Sequence, residues 1–89
     1  MARTLLLGSQ EACTTLTGTA KSFTEATVVR LFNSNSNPQL VTVVETQSGS
    51  VVGTFTIPAL SVEFLEKRAS HCIFAASTDV VGSKVGFTG

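Results

Sequence analysis

The chain has no Trp and no Tyr, a single His, two Cys and two Pro among its 89 residues, and only 13% of those residues are charged. Each shortage closes off a class of function. Sugar-binding platforms are usually built from Trp or Tyr beside carboxylates, and here Phe supplies all the aromatic residues. Phosphate binding needs clustered Lys and Arg, yet Arg3, Lys21, Arg30, Lys67, Arg68 and Lys84 are scattered, with only Lys67 and Arg68 adjacent. No nucleic-acid partner is therefore expected. The longest Leu run, Leu5 to Leu7, is far too short for a signal-peptide core or a membrane span. No membrane partner is expected either, and the chain is read as folding in the cytoplasm where it is made.

Acid–base and metal chemistry are equally thin. His71 adjoins Cys72, but neighbours on a strand point to opposite faces, so they do not form a nucleophile–base pair. Glu63 and Glu66 are the closest carboxylates; three residues apart on a strand, they also fall on opposite faces. Asn33, Asn35 and Asn37 alternate as in a calcium loop, but without carboxylates they would hold a cation weakly and are read as turn residues. The Gly82-Ser83-Lys84 stretch lacks the strand, glycine loop and helix of a phosphate site, so Gly82 and Gly86 are read as bulge or turn glycines. The expectation is a non-enzymatic chain with no catalytic residues, no cofactor, no metal and no small-molecule substrate. Two cysteines alone do not make a structural zinc site. Cys13 and Cys72 are read either as a disulfide between neighbouring strands or, with no export signal, as two small buried hydrophobes.

What remains is abundant: thirteen Thr, ten Ser and many Val. These residues, with Phe, suit a pleated, half-buried surface. Short β-rich runs follow one another: Arg3–Gly8, Glu11–Thr17, Ala26–Asn33, Leu40–Glu45, Val51–Ile57, Ser61–Glu66, His71–Ala76 and Val80–Phe87. Turn chemistry separates them every 8–12 residues or so, the spacing of a sandwich or barrel. The Asn33–Pro38 cluster is the clearest turn, and Pro58 ends the fifth run because Pro cannot donate to a central ladder. Ala59 to Arg68 is the best helix candidate, but its Val62 and Phe64 fit one face of a strand. The whole of residues 1–89 is expected to form one domain, an all-β, Ig-like or jelly-roll-like antiparallel sandwich of about seven to eight short strands. The same alternation would also serve a closed barrel.

Two features point to a partner. The net charge is zero, whereas solubility favours a net charge away from zero. The central strands also carry apolar residues on both faces: Val28, Val29, Leu31 and Phe32 in one, and Val41, Val43 and Val44 in the next. One face packs in the core. The other meets either another subunit or a second internal layer, such as a folded-over terminal strand. Terminal strands often lie at sheet edges, which are templates for pairing with another chain. Arg3, Leu5, Leu7, Val81, Val85 and Phe87 are therefore the candidate interface residues.

The order of runs supplies one resemblance. Val28-Val29-Arg30-Leu31-Phe32-Asn33 is followed by a valine strand and by Val52-Gly53-Thr54-Phe55-Thr56-Ile57-Pro58. Phe64-Leu65-Glu66-Lys67-Arg68, Ile73-Phe74-Ala75-Ala76 and Val85-Gly86-Phe87-Thr88-Gly89 come after. Over about two-thirds of the chain this pattern resembles the small β-sandwich virion proteins of tailed bacteriophages, of the marine and cyanobacterial type. The resemblance implies a structural protein of the virion that decorates or cements the capsid, with the major capsid protein, copies of itself, or both as partners. It carries over no catalytic or binding set. Alternatives are a neck-, tail- or fibre-associated piece of the same particle, or an Ig-like surface carbohydrate-binding module.

Overall fold

The computed structural model describes residues 3–88. Eight strands form two antiparallel sheets: β1 (Arg3–Leu6), β2 (Glu11–Ala12), β3 (Val28–Asn33), β4 (Gln39–Val44), β5 (Val51–Ile57), β6 (Val62–Glu66), β7 (Cys72–Ala75) and β8 (Val80–Thr88). One sheet runs β1-β8-β3-β6, with β2 also paired to β8. The other runs β5-β4-β7. With two separate sheets, the molecule is a β-sandwich and not a closed barrel.

Alternation explains the core. In β3, Val29, Leu31 and Asn33 are buried while Val28, Arg30 and Phe32 are half-buried on the other face. Val29, Leu31, Val41, Ile57, Ile73 and Val80, each essentially without exposure, meet between the sheets. The β5 alternation holds as well, with Ile57 buried and Phe55 packed against the core, while Thr54 and Thr56 are exposed.

Two local expectations are corrected, and the cysteine alternative is decided. Glu11–Thr17 is not one strand, because only Glu11 and Ala12 pair with β8. The chain then crosses between the sheets. The Cys13 amide donates to the Val80 carbonyl of one sheet (2.8 Å), and the Thr14 carbonyl accepts from the Ala75 amide of the other (2.9 Å). A 3₁₀ turn at Thr17–Thr19 follows, and Lys21 then bridges Ile73 along the outer edge of β7. This side of the sandwich is closed by the chain itself. Cys13 and Cys72 are free, buried thiols in different apolar clusters.

Gly82 is not a turn or bulge glycine, for it pairs in register with Leu31 and Glu11 inside β8. A Cβ there would lie 2.8 Å from Cε1 of Phe23 and 3.0 Å from Cδ2 of Leu31. The glycine makes room for the Phe23 ring. That ring anchors a left-handed turn at Phe23, Thr24 and Glu25 (φ 56°, 58° and 55°), a conformation that L-residues enter at a cost of roughly 1–2 kcal/mol each. Hydrogen bonds offset part of it: the Ala26 amide donates to the Ser22 carbonyl, the Glu25 amide to Ser22 Oγ, and Lys84 Nζ to the Thr24 carbonyl.

Two polar residues that read as surface are buried. Asn33 is fully enclosed. Its Nδ2 donates to the carbonyls of Asn37 (3.0 Å), Ile57 (3.1 Å) and Pro58 (3.3 Å), and its Oδ1 accepts from the Asn35 amide (2.9 Å). The asparagine cluster is thus a turn, fastened by Asn33 to the ends of β4 and β5. Lys67, which reads as part of a polar corner, is only 7% exposed. Its ammonium donates to the Ala26 carbonyl at 2.6 Å and more weakly to those of Arg68 and Ala69.

Candidate docking surface

The two sheets treat their outer faces differently. Opposite residues share a face, so Val44 and Cys72, which pair in register, both point away from the core. The segment that crosses between the sheets folds over them, and Ala20, Val44 and Cys72 form a second buried cluster with Phe74 packed against it. Gln47 Nε2 donates to the Ala20 carbonyl and the Ser48 amide to the Thr17 carbonyl, which fastens the cover in place. The second layer anticipated from the sequence therefore exists on this sheet, although an internal segment supplies it and not a terminal strand.

The outer face of the five-stranded sheet has no such cover among the described residues. The registers put Arg30 opposite Phe64 and Ser83, Phe32 opposite Val62 and Val81, Val85 opposite Leu6, and Phe87 opposite Thr4. All of these side chains lie on the outward face. The Phe64 and Phe87 rings meet edge-to-face with centroids 5.2 Å apart and planes at 61°. Val85, opposite Leu6, is buried at 2% exposure, whereas Leu6 is 70% exposed and Phe64 and Phe87 about half exposed. With aromatic side chains of ~150–250 Å² each, these residues and Val62 present roughly 400 Å² of apolar surface. That is about half of the ~800 Å² that each partner contributes to a standard interface.

Arg30 crosses the middle of this face. It takes no part in the one ion pair among the described residues, Lys21 to Glu11 at 3.9 Å. Beside it a shallow depression of about 700 Å³ is lined by Leu6, Arg30 and Ser83. The face is thus an apolar field with one cation at its middle, a polar notch, and the carboxylate of Glu66 at its margin opposite Val28; aromatics and Arg at the centre are the residues enriched in interface cores.

The six candidate interface residues divide between two faces. Val81, Val85 and Phe87 lie on the outward face of the five-stranded sheet. Arg3, Leu5 and Leu7 point to the opposite side of the β1–β8 ribbon, since Leu5 pairs with Gly86 and Arg3 with Thr88. Sequence reasoning missed Leu6, Phe64 and Val62. The signal for Phe64 and Val62 was their shared parity on one strand; only the pairing register could add Leu6.

The remaining clefts offer little chemistry. A groove of about 560 Å³ opens between β5 and β6, walled by Val43, Val52, Phe55 and Leu65 with Arg68 and His71 at its rim. No group of three or more His, Cys, Asp or Glu side chains is placed to hold a metal ion among the described residues. The perturbed titrations are those of burial. Desolvation pushes the Cys13 thiol up from 9.0 to about 11, against the opposing field of Lys21. Desolvation likewise pulls Lys67 below its ordinary value; Cys72 opposes the shift and Lys84 adds to it. A thiol raised this far is inert, the opposite of an activated nucleophile.

Comparison with protein-family models, curated proteins and solved structures gave no match.

Proposed function

We propose that the chain is a non-enzymatic structural subunit that seats the outer face of its five-stranded sheet on a partner in a larger assembly. The observation that carries this reading is the contrast between the sheets. The Cys13–Ser22 segment covers the outer face of β4 and β7 around Val44, Cys72 and Phe74, whereas Leu6, Phe64 and Phe87 stand exposed side by side on the outer face of the five-stranded sheet. An exposed field of this kind marks an interaction surface.

The sequence resemblance supports a tailed-phage capsid as the assembly, with this protein as a decoration or cement piece on the major capsid lattice. Such a piece works by burying surface across neighbouring capsomers, which calls for a rigid scaffold and a sticky face and for no catalytic group. Particles lacking the protein are expected to lose their contents at lower temperature, and adding back the wild-type chain to restore them. The Phe64→Ser, Phe87→Ser double variant, folded but with a weakened face, is expected not to restore them. Equal heat resistance with and without the protein would refute the cement role. A copy number confined to a single vertex would move the site to the neck or tail.

A further inference from the structure

We propose that two copies of this chain pair through β5, antiparallel across a two-fold axis, to make one continuous six-stranded sheet. This goes beyond the docking face above and does not depend on it.

The edges of the two sheets differ in how they are guarded. Natural edge strands are kept from pairing by charge, shortness, bulges or a covering segment. β1 and β2 have four and two residues and carry Arg3 and Glu11, and β6 carries Glu63 and Glu66. β7 is occupied: the Lys21 amide donates to the Ile73 carbonyl at 2.9 Å and the Ile73 amide to Lys21 at 2.7 Å. β5 has none of these guards along most of its length. It runs seven residues, Val-Val-Gly-Thr-Phe-Thr-Ile, without a charge or a proline, and pairs only with β4. Its one irregularity, the register shift opposite Val43 and Val44, is confined to the Val51 end. Gly53 to Ile57 is straight and open.

The strand is also complementary to itself. Antiparallel pairing centred on Thr54 sets Gly53 of one copy against Phe55 of the other, and Thr54 against Thr54. A Cβ at Gly53 would meet nothing within 4 Å, so the space beside it is free to take the second copy's Phe55 ring. An aromatic opposite a strand glycine covers the backbone that the glycine leaves bare. Gly53 and Phe55 both line the groove between β5 and β6, so the second copy's ring closes the mouth of that groove over Leu65. A second copy is favoured over a charged peptide because β5 offers no charge to recognise one, while a neutral strand meets itself without repulsion.

The test uses the two-fold axis. Sedimentation of the full chain between about 1 µM and 1 mM, the range of weak dissociation constants, is expected to reach twice the 9.3 kDa of the monomer. Thr54 is exposed, so Thr54→Lys and Thr54→Glu leave the fold intact, yet each sets like charges face to face and is expected to stay monomeric. An equimolar mixture of the two is expected to recover the dimer mass. Phe87→Ser, on the other sheet, is expected to leave the dimer unchanged. A wild-type chain that stays monomeric at 1 mM, a dimer that survives Thr54→Lys, or a mixture that fails to associate would each overturn the proposal.

Discussion

Three buried residues carry most of what distinguishes this sandwich from a generic one. Asn33 ties the Asn37 turn to the end of β5 with one amide group. Asn33→Ala strands those carbonyls and removes the acceptor of the Asn35 amide, so unfolding in urea is expected to show a loss of about 3 kcal/mol. Two of the strand glycines, Gly82 and Gly53, separate cleanly. Gly82→Ala drives a methyl into the Phe23 ring and is expected to lose about 2 kcal/mol. Gly53→Ala has open space and is expected to leave the monomer unchanged or gain up to about 1 kcal/mol. Cys13 gives a pH signature. Its folded pKa is raised, so the stability tied to the protonated thiol is complete below pH 9 and is lost as pH rises towards about 11. Two units correspond to about 3 kcal/mol. The difference between wild type and Cys13→Ala across that window isolates this loss. Lys67 acts in the opposite sense, because its folded value is lowered and stability rises as pH climbs through it, but that contribution is common to both proteins and cancels.

At the scale of elements, the segment from Cys13 to Ser22 matters most, because it closes one side of the sandwich and covers the outer face of β4 and β7 at Val44 and Cys72. Ala20→Arg is expected to lever this cover away. Thiol labelling under native conditions would then modify Cys72 while Cys13, deep between the sheets, stays protected; unchanged Cys72 labelling would show that the cover is not held by Ala20. This element was the hardest to see in the sequence. Thr14 to Thr19 has the β propensity of a strand but no apolar alternation, and its role depends on carbonyls and amides that reach two different sheets. Strands with side-chain alternation, such as Val51–Ile57, were legible because period-two burial writes itself into residue type. Asn33 and Lys67 were not, because each sits among polar neighbours in the sequence and is buried only by the arrival of distant strands. The docking face was half legible: the parity of Val28, Phe32, Val62 and Phe64 was visible, but which outer face lacked cover was a matter of tertiary structure.

For the molecule as a whole, zero net charge and scarce ionic groups, with an exposed apolar patch on one sheet face, are the features on which the proposal of a role within an assembly rests. The low charge limits competing solvation on the outer face, where Arg30 at its middle and Glu66 at the end of β6 supply the charged groups. The free edge of β5 lies in the other sheet, so self-pairing there and docking through the five-stranded sheet use different surfaces and can occur together. The most direct test of the docking claim is radical footprinting of Phe64 and Phe87 in the isolated protein and on intact capsids that contain it. Both rings are expected to label readily when free and to be protected several-fold in the particle, with Thr54 variants unable to abolish that protection. Equal labelling of Phe64 and Phe87 in the two states would contradict it.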